Sequence, residues 1–167
     1  RPPMIIDESD GAINAAAVAM EGGYAGTSHK NCKGIFKSLA NGALIHKRRL
    51  DKPEGQWVLS AEDLCTIGPV SLLQDLATAA ALGVDHVERN GHHYFRGLGV
   101  CPQAMQQETL THHADLYHAL DDGTPAVNVS NGVVLIGSLN RAAYGVGFEV
   151  NLDGLTLASD WSFDSLG

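Results

Sequence analysis

Within the first ninety residues, four short apolar runs alternate with segments of helical period, and this alternation is the strongest constraint on the fold. The runs at 4–8, 24–30, 57–60 and 84–87 read as strands, each a few apolar residues closed by polar ones. The intervening segments read as helices. Residues 12–20 are alanine-rich and stop at Gly22-Gly23. Residues 34–47 carry Ile35, Phe36, Leu39 and Leu44 at roughly helical spacing. Residues 69–82 carry Val70, Leu72, Leu73, Leu76 and Ala80, and stop at Gly83. Strands alternating with helices predict an α/β fold with parallel strands and right-handed crossovers. Four such units equal half of a TIM (β/α)8 barrel, and a half barrel leaves strand edges exposed.

Past the βα units, which span about 4–99, the pattern changes. A helix is predicted over 102–120, ended by Asp121-Asp122-Gly123. Ser130-Asn131-Gly132 between the apolar runs 127–129 and 133–136 is a hairpin signal. This C-terminal extension covers about 100–167, and the whole chain reads as one domain.

With 167 residues, 44% hydrophobic and 18% charged, the chain can bury a sizeable core. Its net charge of −8 argues against nucleic acid as a partner. The basic run Lys47-Arg48-Arg49 reads as a helix end, where cations suit the dipole. Three cysteines without a CxxC give neither a disulfide framework nor a structural zinc site, and fit a reducing, cytoplasmic setting. No apolar run approaches the ~20 residues that span a membrane. Arg1-Pro2-Pro3 running straight into a strand suggests a processed chain or a fragment.

In βα barrels the chemistry gathers at the carboxyl ends of the strands. Asp7 and Glu8 close the first run there, and hard oxygen donors of this kind suit magnesium. The bland alternative is a helix start capped by Ser9 or Asp10. Lys30 closes the second run. Side chains alternate along a strand, so Lys30 and Ser28 share one face and His29 takes the other. A lysine partly desolvated beside a cation has a lowered pKa, as a base needs. Lys33 can brace the structure or face a substrate. Glu62 and Asp63 close the third run, or begin a helix. His92 and His93 lie in Gly91-His92-His93-Tyr94-Phe95-Arg96-Gly97, a loop able to face a polar substrate or to serve packing. His112, His113 and His118 lack the spacing of a zinc helix and read as surface residues.

Ile6-Asp7-Glu8-Ser9 before a helix, then a strand ending Lys30-x-x-Lys33-Gly34, then the acidic strand end at Glu62, resembles the C-terminal barrel domain of the enolase superfamily. The resemblance is to its mandelate racemase and muconate lactonizing enzyme branch, and covers residues 4 to about 90. It implies strands five to eight of the barrel and a magnesium ion, Mg2+. It implies a lyase or isomerase that removes the proton α to the carboxylate of a hydroxy or sugar acid. On this likeness Asp7 is the third metal ligand, Glu8 steadies the lysine, Lys30 is the general base and Glu62 is the acid of the seventh strand. Gly34-Ile35 stands where the family has Gly-Gly. The seventh strand lacks a histidine, which favours a lysine base. Two further metal ligands have no counterpart in the chain, so the site needs a missing N-terminal half or a second copy. The alternatives are a non-catalytic barrel module that assembles with a partner chain and, more weakly, a small flavodoxin-like domain.

Overall fold

The structure, a computed structural model, describes residues 2–62, 66–91 and 94–166. The histidines His92 and His93, and Asp63, lie outside the described residues. The chain forms two compact units, one of residues 1–65 and 77–90, the other of residues 66–76 and 91–167.

The first unit is α/β. Strands β1 (Ile5–Ile6), β2 (Gly26–His29) and β3 (Val58–Ala61) form a parallel sheet in that order. Helix α1 (Ala15–Glu21) joins the first two strands and α2 (Ile35–Asp51) the next two. Gly26 lies so close to β3 that a Cβ there would sit 1.8 Å from the carbonyl oxygen of Val58. Ala16 and Met20 from α1, Ile45 from α2 and Leu59 from β3 make the buried cluster, with Leu44, Trp57, Leu82 and Val84 packed around it. Each large apolar side chain buried in this way contributes about 1.5–3 kcal/mol.

Two expectations fail in this unit. The run 84–87 does not form a fourth strand. Asp85 and His86 are exposed, and pairing is confined to one parallel bridge, Glu62 to Glu88. The buried face of α2 is also not the apolar one. Phe36 is 88% exposed and Leu39 44%, while Lys37, Ser38, Asn41 and Ile45 are buried. Ile45 packs in the apolar cluster, whereas the partners of Lys37, Ser38 and Asn41 are polar. Asp10, 1% exposed, accepts hydrogen bonds from Thr27 Oγ1 at 2.9 Å and Asn41 Nδ2 at 3.0 Å, and pairs with Lys37 at 3.3 Å. Lys37 also donates to the Asp10 carbonyl. His29 Nδ1 meets Ser38 Oγ at 2.7 Å. Polar groups can be buried when they find partners, and α2 supplies them. Asp10 therefore does not cap α1, which starts at Ala15 after Asn14.

Helix α3 (Val70–Ala81) contributes residues to both units. The second unit also holds α4 (Gln103–His112) and an antiparallel hairpin of β4 (Tyr117–Ala119) and β5 (Pro125–Val127). The predicted helix over 102–120 thus ends at His112, and its last part is a strand. The Asp122-Gly123 segment is the hairpin turn, with Gly123 at φ +85°. Asn131 and Gly132 do form a tight turn, both at positive φ, but it is flanked by one bridge, Ser130 to Val133, and not by strands. Among the described residues, no helix is long and apolar enough to cross a membrane.

Candidate functional site

Three parallel strands run in one direction, so their carboxyl ends deliver Asp7-Glu8, Lys30 and Glu62 to the same edge of the sheet. Alternation along β2 sends Thr27 to Asp10 and His29 to Ser38 of α2, and leaves Lys30 on the opposite side. Lys30 is 1% exposed, and its Nζ lies 3.0 Å from Asp7 Oδ2, 2.8 Å from Glu8 Oε1 and 2.8 Å from Glu62 Oε2. An ammonium group has three donors, and each has a carboxylate.

Lys33 follows on the 3₁₀ turn Asn31–Lys33 and reaches back to β1. Its Nζ donates to Asp7 Oδ1 at 2.9 Å, to the Asp7 carbonyl at 2.8 Å and to the Ser28 carbonyl at 3.4 Å. Of its two expected roles, bracing Asp7 is the one observed. Ser28 is buried beside the cluster and contributes its backbone oxygen; its hydroxyl makes no hydrogen bond to the cluster among the described residues.

The electrostatics differ from the expectation of a depressed lysine. Burial alone lowers the Lys30 pKa, but the hydrogen bonds it donates to Glu62, Glu8 and Asp7 outweigh it and raise the value above that of a free lysine. Burial likewise pushes Asp7 up, and the two lysines overcome it and hold its carboxyl below the usual range. Three carboxylates against two ammonium groups leave one formal negative charge.

That charge and the hard oxygen donors suit a cation such as magnesium in kind, but not in number. Both Asp7 oxygens face ammonium groups. No group of three or more His, Cys, Asp or Glu side chains able to hold a metal occurs among the described residues.

One polar cluster in the second unit was not anticipated. His113, expected on the surface, is fully buried; Ser138 and Gly147 enclose it. Its spacing from neighbouring histidines carried no sign of this, because the enclosing segment lies 25 to 34 residues further on. His112 and His118 are exposed, as expected. No protein-family model, no curated protein and no solved structure matches the chain.

Proposed function

We propose that the Lys30 cluster is the proton-transfer half of an enolase-type site, built on the second half of a (β/α)8 barrel. The reaction is removal of the proton α to the carboxylate of a hydroxy or sugar acid. The observation that carries this reading is the convergence of Asp7, Glu8 and Glu62 on Lys30 Nζ, each from the carboxyl end of a neighbouring parallel strand. Glu8 and Glu62 fix the position of Nζ, and Lys33 fixes Asp7. Lys30 takes the proton in its neutral form, so part of the surrounding negative charge has to be offset before it can act. Asp7 is the residue of this chain that would hold magnesium, which would supply that offset and stabilise charge developing on the substrate. The remaining ligands come from outside these residues.

The test is solvent exchange. The protein is incubated with magnesium and a panel of hydroxy and sugar acids in D2O, and loss of the α-proton signal is followed by NMR. Exchange that disappears in Lys30→Met, with magnesium binding weakened in Asp7→Asn, is the expected result. No exchange with any acid, together with magnesium binding indifferent to Asp7→Asn, would overturn the reading.

A second reading is favoured by the raised pKa of Lys30, which describes a fully paired ammonium. In it the cluster is a structural ion network within a module that assembles with another chain. Lys30→Met then lowers stability with no activity to lose.

A further inference from the structure

The segment that follows α3 returns along the outer edge of β3 and is pinned there at both ends. Val84 packs against the apolar cluster, and its N–H donates to the Ala79 carbonyl at 3.0 Å. The Glu88 N–H donates to the Ala61 carbonyl at 3.0 Å. Between these two anchors His86 meets the strand. Its Nε2 lies 3.1 Å from Ser60 Oγ, and its Nδ1 lies 3.2 Å from Asp85 Oδ1. Leu59 packs against α1 and α2, so Ser60 alternates to the other face of the sheet, the face of Glu62. All three residues belong to the first unit.

The order of the atoms sets the order of the protons. An ionised carboxylate only accepts, so Nδ1 carries a proton and donates it to Asp85. In the neutral ring Nε2 is then the acceptor, and the Ser60 hydroxyl donates to it. The hydrogen bond from His86 holds the Asp85 carboxyl below its usual range, which keeps it ionised. Neighbouring acids do not compete for the ring. Glu62 pairs with Lys30 at 2.8 Å, and Glu88 accepts from Asn90 at 3.3 Å. The group is open to solutes: the His86 side chain is 61% exposed and that of Asp85 99%, with Ser60 half-buried. A hydroxyl, a base within its reach and a third group that orients the base are the parts of a nucleophilic acyl-transfer site, recognised by geometry and not by sequence order.

We propose that Ser60, His86 and Asp85 form an acyl-transfer site for small carboxylic esters, with Ser60 as nucleophile, His86 as general base and Asp85 as the positioning residue. Ser60 Oγ attacks the acyl carbon, and its proton passes to His86 Nε2. The C–O bond to the leaving group breaks, and the alkoxide takes the proton from His86 and departs as an alcohol. Water then attacks the acyl-serine by the same route, releasing the carboxylic acid and restoring Ser60. An open site suits esters, whose leaving groups depart more readily than amines. No step involves the Lys30 cluster, so the site stands apart from the reaction proposed there.

The test treats the chain with diisopropyl fluorophosphate in buffer without magnesium, and locates the modified residue by peptide mass spectrometry. In that reaction the Oγ–P bond forms, the P–F bond breaks, fluoride leaves and His86 takes the serine proton. Labelling at Ser60 is expected, at a rate that falls about a hundredfold in His86→Gln, the low end of what a general base contributes. Asp85→Asn slows labelling less, and Asp85→Glu restores part of that loss, which separates orientation of the ring from mere surface charge. Hydrolysis of p-nitrophenyl acetate falls in Ser60→Ala. Both substituted side chains, His86 and Asp85, lie outside the core, and circular dichroism checks that the variants fold. No labelling at Ser60, labelling there at the same rate in His86→Gln, or ester hydrolysis unchanged in Ser60→Ala would remove the proposal. With magnesium absent, none of these outcomes bears on the α-proton exchange.

Discussion

Without the Lys30 ammonium, Asp7, Glu8 and Glu62 would face one another with Lys33 as their sole offsetting partner. Breaking a fully buried ion pair costs about 3–5 kcal/mol. Here Asp7 is 39% exposed and Glu8 80%, so water recovers part of that. Lys30→Met is therefore expected to lose about 1–3 kcal/mol at pH 7, less than the buried limit. The loss should shrink as pH falls below the ordinary aspartate value of 3.8 and through the lowered value of Asp7, where protonation removes the Asp7 charge from its pairing with Lys30; urea unfolding at pH 7 and below 3.8 measures this. An equal loss at both would mean that the lysine stem matters for packing and not for charge. His29 gives a second pH signature. Burial, then the charge of Lys33, depresses its pKa from 6.5 to about 4. The unfolded chain binds the proton more readily, so stability from this group is complete above pH 6.5 and is lost as pH falls towards 4. The shift corresponds to at most about 3 kcal/mol. A stability profile that is flat over this range for His29→Gln but sloping for the wild type is the expected outcome.

At the scale of elements, α2 is held to the sheet by polar contacts as much as by apolar ones. Asp10 joins Thr27 of β2 to Lys37 and Asn41 of α2. Asp10→Ala leaves a lysine, an amide and a hydroxyl without it in a buried place, which costs about 2–4 kcal/mol. Asp10→Asn keeps the shape and part of the bonding, and should lose less. If chemical denaturation shows both variants as stable as wild type, the network is not what fastens α2. Gly26→Ala tests the sheet itself. The added methyl collides with the Val58 backbone, so β2 and β3 must part, at a cost of about 3 kcal/mol or more. These elements also show what could be read from the residues alone. Existence and order of the first three strands and three helices follow from apolar runs and glycine stops, because those signals are local. The inward face of α2 does not. Of the apolar stripe Ile35, Phe36, Leu39 and Leu44, Phe36 and Leu39 are exposed while Leu44 packs against the core; His29 of the sheet meets Ser38, and Thr27 reaches Asn41 and Lys37 through Asp10. The carboxylate ends were legible for the same local reason that the strands were. That Lys33 holds Asp7, and that Lys30 is fully paired, depended on distances no spacing rule contains.

At the scale of the whole molecule, the sheet of the first unit is short for its class. It has three parallel strands, fewer than the ~4–6 usual for a sheet. Among the described residues β1 has a neighbour on one side only, and the outer side of β3 meets a single bridge. Parallel sheets are ordinarily covered on both faces, and an unpaired edge is a template for another strand. Met4, just ahead of β1, is 54% exposed and extends this edge strand; its carbonyl accepts the Ala25 amide on the paired side, towards β2. The chain is therefore expected to associate, either with itself or with another chain that adds a strand to this edge. Light scattering on the isolated chain should give a mass of at least two copies of 17.6 kDa, with the proportion of associated chain rising with concentration. A lysine blunts an edge because its charge resists burial against a second strand. Met4→Lys should shift the equilibrium towards the single chain and leave the circular dichroism spectrum unchanged. Association that persists in Met4→Lys would place the contact elsewhere, and a single-chain mass at every concentration would mean that the edge of β1 is no template.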